Sequence, residues 1–259
     1  MQEYTNHKPG TFCWVDLSTT DTDGAKKFYS AVFGWEIQDI PVGEGMVYTM
    51  LNIKGKAVAA LAEMQPEQRQ MGLPPFWLSY IAVEDAAETI AKVKGAGGSV
   101  MAEAFDVMEE GRMGLFADPE GAVTGIWQAK NHIGSSYKNV PNSLCWVEHG
   151  SHNPEPTLPF YKKVFDWNPE TKDMGGMKYT TFFIGEEMAG GLYVMDDTMK
   201  DIPSHWLPYF LVDNIDTAIS KITGLGGQII MPKMFAEGVG HFSVFRDPQG
   251  AVAGLVQGV

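Results

Sequence analysis

At 259 residues the chain has room for one large domain or two ordinary ones. Its net charge of −13 argues against nucleic acid and anionic membranes as partners, because both select clustered lysine and arginine. No apolar run approaches the roughly 20 residues of a membrane helix, MQEYTNHKPGTF lacks a secretory leader pattern, and Cys13 and Cys145 make no disulfide framework, so a cytoplasmic protein is expected.

In chain order, TFCWVDLST alternates apolar and polar residues, as a half-buried strand does. Asp21 or Thr22 can cap the helix that follows, in which Ala25, Phe28, Tyr29, Val32 and Phe33 form an apolar stripe before Gly34 ends it. WEIQDI, MVYTMLNI and KAVAALAEM read as three more strands. The same order then begins again. FWLSYIAV is a strand, EDAAETIAKVKGAGG a helix with Ala87, Ile90 and Val93 inward, and SVMAEAFDV, GRMGLFAD and AVTGIWQA are strands. NHIGSSYKNVPNS is polar and rich in Gly, Ser and Pro, and reads as a linker.

After it the whole pattern repeats. FCWV at Phe12 returns as LCWV at Leu144, Trp35 as Trp167, Tyr48 as Tyr179, and FWLSYIAVED as HWLPYFLVDN. GRMGLFADPEGAVTGIWQ and GHFSVFRDPQGAVAGLVQ agree at 9 of 18 positions. The chain is therefore a duplication, with domains 1–131 and 140–259 joined by 132–139, and each half contains the unit βαβββ twice. In DPEG and DPQG, Pro presets φ and Gly accepts positive φ, so Asp118 and Asp247 are expected to shape turns.

Four βαβββ units, FY..VFGW after the first strand and F.DP.GA..G..Q at the end of each half resemble the vicinal oxygen chelate superfamily. That group includes glyoxalase I, bleomycin-resistance proteins, fosfomycin-resistance enzymes and extradiol dioxygenases; the chain is most similar to its two-domain bacterial glyoxalase-like or hydroxylase-like members. The resemblance implies an α+β fold in which paired units form two cupped eight-stranded mixed sheets, with helices outside and a ligand cleft inside. It also implies where metal ligands would stand. Those places fall on Trp14, Ala60, Leu78 and Gly125 in the first half and on Trp146, Gly191, Leu207 and Gly254 in the second. None of these side chains ligates a metal, so no metal and no cofactor are expected.

Strand alternation puts Phe12, Trp14 and Asp16 on the cleft face, with Leu144, Trp146 and Glu148 as their mates, and Cys13 and Cys145 on the opposite face under the helices. Tyr80 and Tyr209 join the cleft face through Leu78 and Leu207. Arg112 and His241 occupy one place in the two halves and could supply an anion contact and a proton. Trp14, Asp16, Tyr80, Arg112, Trp146, Glu148, Tyr209 and His241 are thus the candidate ligand-binding residues. Asp16, Glu148, Tyr80 and Tyr209 are the candidates for acid–base chemistry. His149 and His152 form an H-x-x-H in a proline-rich stretch that reads as a loop, with no matching donor in the first half.

The leading expectation is a metal-free protein of the glyoxalase and bleomycin-resistance type that binds a partly aromatic or apolar small molecule in one or both cups. The alternative is a glyoxalase-like lyase, isomerase or hydroxylase using acid–base residues or an unforeseen metal site. A third is an interaction module whose cups are filled by their own tryptophans. A homodimer is compatible with each.

Overall fold

The structure is a computed structural model that describes residues 3–43, 45–174, 176 and 178–258. The first half runs β1 (Phe12–Thr19), α1 (Thr22–Phe33), β2 (Glu36–Gly43), β3 (Met46–Ile53), β4 (Lys56–Glu63), a short α2 (Pro66–Gln70), β5 (Phe76–Ala82), α3 (Ala86–Ala96), β6 (Ser99–Val107), β7 (Gly111–Ala117) and β8 (Val123–Ala129). The second runs β9 (Leu144–Ser151), α4 (Pro154–Phe165), β10 (Asn168–Asp173), β11 (Lys178–Ile184), β12 (Glu187–Val194), β13 (His205–Leu211), α5 (Ile215–Gly224), β14 (Gln228–Ala236), β15 (Gly240–Arg246) and β16 (Val252–Gln257).

Each half makes one eight-stranded mixed sheet, in the orders β2-β3-β4-β1-β5-β8-β7-β6 and β10-β11-β12-β9-β13-β16-β15-β14. β1 runs parallel to β4, as a crossover through α1 requires, and antiparallel to β5, which is parallel to β8. Thus β1 and β5, and likewise β9 and β13, form the seam where two βαβββ units meet.

The helix boundaries follow local chemistry. Asp21 caps α1 by accepting from the Gly24 N–H, and Gly34 closes it in the left-handed region at φ 71°. Asp85 and Gly97 do the same for α3, whose inward residues include Ala86 rather than Ala87. The prolines after His152 do not make a loop. Pro154 opens α4, where a missing N–H costs nothing, so His149 ends up inside β9 and only His152 lies in the connection.

The helices lie outside each cup, as expected, yet they are internal to the molecule. Phe28, Tyr29, Val32 and Phe33 of α1 share one apolar core with Phe160, Tyr161, Val164 and Phe165 of α4 and with the helix-side faces of both sheets. α1 packs beside α5 and α3 beside α4. Reciprocal hydrogen bonds cross this core. The Trp35 indole donates to the Asn142 carbonyl (2.7 Å), and the Trp167 indole to the Gly10 carbonyl (2.8 Å). Tyr29 donates to Asp247 (2.9 Å) and Tyr161 to Asp118 (3.1 Å), each reaching the turn of the opposite half. The two cup faces form separate apolar clusters around Trp14 and around Tyr209.

Candidate functional site: a carboxylate held by two tyrosines in each cup

In the first cup, Asp16 projects from the middle of β1 opposite Ala60 of β4 and Leu78 of β5. Two phenols converge on it. Tyr48, from β3, and Tyr80, from β5, each donate to Asp16 Oδ2 at 3.0 Å. The Trp14 indole N–H donates in turn to the Tyr48 hydroxyl at 3.0 Å. Asp16 Oδ1 accepts no hydrogen bond from the described residues, although the residue is only half-buried. Burial among these rings pushes the Asp16 carboxyl up to about 6, the two tyrosine hydroxyls pulling the other way. Tyr48 and Tyr80 are raised well above the ordinary phenol range by burial and by the carboxylate, so they stay protonated donors.

The second cup repeats the arrangement with a longer acid. Tyr209 donates to Glu148 Oε2 at 2.9 Å, and the Trp146 indole donates to the Tyr179 hydroxyl at 2.8 Å; Tyr179 and the Glu148 carboxylate each shift the other's titration. Burial again raises the Glu148 carboxyl. The cups differ in cover. Trp14 is 4 % exposed, with the edge of His132 against its ring at 4.5 Å and with Trp127 in the same cluster. Trp146 is half-buried and forms one wall of a cavity of about 320 Å³ that also touches Phe12, Cys145 and Met188.

Trp14, Asp16 and Tyr80 thus come together as the alternation implies, and so do Trp146, Glu148 and Tyr209. Tyr48 and Tyr179 complete the site and were not among the candidates. The signal for them was their equivalence across the repeat. His132 belongs to the linker, and only tertiary structure brings it to Trp14. Burial drives its imidazole down to about 4, so it is neutral.

Three expectations are corrected. A bulge between Phe12 and Trp14 breaks the alternation in β1, and the same slip occurs between Leu144 and Trp146 in β9. Phe12 and Leu144 therefore enter the helix-side core, while Cys13 and Cys145 pack with the cups. Burial pushes both thiols up to about 12, which keeps them protonated and poor nucleophiles. Arg112 and His241 do not reach the cups. Arg112 shares the face of Gly114 and Phe116, where a Cβ on Gly114 would meet Ile90 of α3, whereas Met113 and Leu115 line the cup. Arg112 lies 3.5 Å from Asp106, and His241 shares a face with the core residue Phe245 and packs against Phe235.

Asp118 and Asp247 do shape their turns. Asp118 Oδ1 accepts from the Glu120 and Ala122 N–H groups, and Asp247 Oδ1 from those of Gln249, Gly250 and Ala251. His149 lies on the opposite face of β9 from Glu148, fully buried, with Nε2 2.7 Å from Asp118. His152 faces the Ile202 carbonyl, so the H-x-x-H pair does not converge.

The residues present do not fit the superfamily's metal. Gly125 and Gly254 lie beneath the rings of Tyr80 and Tyr209, and Gly191 beneath Tyr179; a Cβ at any of the three would collide with that tyrosine. At these positions phenols lie over bare backbone, leaving no room for a ligating side chain. Among the described residues no three His, Cys, Asp or Glu side chains gather as a metal site would need.

Comparison with known proteins agrees with this architecture. The family model Glyoxalase/Bleomycin resistance protein/Dioxygenase superfamily matches residues 11–125 and 147–253. "Putative glyoxylase CFP32" of Mycobacterium tuberculosis (strain CDC 1551 / Oshkosh) is 40% identical over 259 residues, covering 99% of this chain and 98% of its own. "Anthracycline biosynthesis protein DnrV" of Streptomyces peucetius is 30% identical over 235 residues, covering 87% of this chain and 85% of its own. Among solved structures, the Mn(II)-bound glyoxalase from Novosphingobium aromaticivorans superposes with a TM-score of 0.67 at 16% identity, over 96% of this chain and 82% of that one. The 2,2',3-trihydroxybiphenyl 1,2-dioxygenase from Sphingomonas wittichii strain RW1 gives 0.67 at 13%, over 97% and 91%. With both halves matched and the paired cups in place, the chain belongs to the glyoxalase/bleomycin resistance protein/dioxygenase superfamily.

Proposed function

We propose that the protein binds a flat, partly aromatic small molecule without the help of a metal, chiefly in the second cup. The observation that carries this reading is a half-buried carboxylate hydrogen-bonded by a tyrosine of the neighbouring strand, with a second tyrosine tied to an indole beside it, present twice in one chain. An indole wall favours a planar ligand, and a desolvated carboxylate favours a ligand that brings an N–H or O–H donor. The half-buried Trp146 makes the second cup the accessible one. The relative DnrV, named for anthracycline biosynthesis, supports an aromatic ligand.

Titrating the purified protein with hydroxylated naphthoquinones while following tryptophan fluorescence tests the reading. Saturable quenching is expected, lost in Trp146→Ala and retained in Trp14→Ala. Stoichiometric Mn, Ni, Zn or Fe in protein purified without chelators, with a melting temperature that rises on adding that metal, would sink the metal-free part.

A second reading, catalytic, has one observation in its favour. Burial raises the Asp16 carboxyl to about 6, and its Oδ1 accepts no hydrogen bond from the described residues, as a general base working near neutral pH requires. Turnover whose pH profile rises through about 6 and disappears in Asp16→Asn would establish it.

A further inference from the structure

The cavity beside Trp146 is lined by a lysine that forms no ion pair among the described residues. Lys138 comes from the linker and lines the cavity together with Tyr4, Phe12, Trp146 and Glu187. Its ammonium donates to the Phe12 carbonyl and lies 6.0 Å from the centre of the Tyr4 ring. No carboxylate among the described residues lies within ion-pair distance of it. Glu187, on the same wall, is 3.4 Å from Lys8, and its charge also acts on Lys138 through space, beyond ion-pair distance. His7, nearby, is held neutral, driven down to about 4 by burial and by Lys138 itself. Burial also lowers the Lys138 ammonium. A desolvated cation is costly unless something neutralises it, and the side facing the cavity is where a neutralising group can enter.

We propose that this cavity receives the carboxylate of the ligand, so that the molecule bound is a small monoanionic aromatic acid with its ring against Trp146 and its charge on Lys138. The proposal rests on the binding reading given above and narrows it. The cavity, at about 320 Å³, falls at the lower end of ligand pockets and suits one or two rings.

Three isosteric probes test it by calorimetry on the full chain: 1-naphthoate, 1-naphthylmethanol and 1-naphthylmethylamine. Naphthoate is expected to bind at least tenfold tighter than the alcohol, with the amine weakest, and its advantage should shrink as salt rises. Lys138→Met should erase the advantage and leave the alcohol unchanged, while Lys138→Arg should preserve it. If the alcohol binds as tightly as the acid, and both depend on Trp146, the anion proposal is overturned and the aromatic-binding reading stands. If Lys138→Met keeps the tenfold margin, the proposal is equally overturned. If none of the probes binds, both readings fall. Should Lys138→Met not fold, the margin in the native protein, its salt dependence and the Arg variant still decide.

Discussion

Asp16 shows what the cup does to a single side chain. Three rings surround it and two hydroxyls converge on one of its oxygens, yet desolvation wins and the carboxyl rises to about 6. The folded state therefore holds a proton that the unfolded chain has already released. Stability from this group is greatest below the unfolded carboxylate range and declines as pH rises from about 4 to about 6, by on the order of 3 kcal/mol. Asn at this position keeps an oxygen for both tyrosines and has nothing to titrate. The difference in unfolding free energy between Asp16→Asn and the native protein should therefore shift in favour of the variant across that pH window and stay level above it. Denaturant titrations at several pH values read this directly. Tyr48→Phe makes the complementary case. It removes one donor from Asp16 and leaves the buried Trp14 N–H without an acceptor, a loss of about 1–3 kcal/mol. A variant as stable as the native protein would mean that water replaces the hydroxyl.

At the scale of elements, the cup floor depends on strands that have given up side chains. β8 carries Gly125 directly beside Tyr80 of β5, and β16 carries Gly254 beside Tyr209 of β13. Gly125→Ala and Gly254→Ala should each cost about 1–3 kcal/mol through overpacking. The loss should largely vanish when the facing tyrosine is also shortened to Ala, which a double-mutant cycle measured by thermal unfolding would reveal. These strands also show how far the sequence could be read. Alternation placed Trp14, Asp16 and Tyr80 on one face, because a period of two is a local property that survives burial. It failed for Phe12 and Cys13, because one extra residue at a bulge reverses the parity and leaves no mark in composition. Arg112 and His241 share one place in the repeat, but that equivalence says nothing about which face they take; Phe116, four residues after Arg112, shares its face and belongs to the core. Tyr48 was visible only as a repeated tyrosine. His132 and Lys138 were not visible at all, since their partners come from strands far along the chain.

Over the whole molecule, the halves interlock through the turns that looked like simple connectors. Asp118 accepts from Tyr161 and faces His149, while Glu120 accepts from the hydroxyls of Ser151, Thr157 and Ser204 and from the Asn153 N–H at the start of α4. Burial works against the Glu120 charge, but these donors outweigh it and hold the carboxyl below its usual range. Its contribution is therefore present at neutral pH and lost as pH falls through the carboxylate range. Glu120→Gln should destabilise the protein at pH 7 and flatten the acid limb of its stability profile. Asp118→Ala should cost about 3–5 kcal/mol, since it strands a phenol, an imidazole and two turn N–H groups. Because the apolar core is common to both halves, thermal unfolding should be a single transition, and residues 1–131 expressed alone should aggregate. Two well-separated calorimetric peaks would contradict a common core.

Fusion of the two copies also changes what mutation can reach. In a pair of identical subunits every substitution appears twice, and a change that improves one cup is imposed on the other. On a single chain the copies are free to part company. One cup has Asp16 beneath a tryptophan sealed by the linker, and the other has Glu148 and a half-buried indole that opens on a cavity lined by a lysine from that same linker. One copy can hold the scaffold while the other is free to vary.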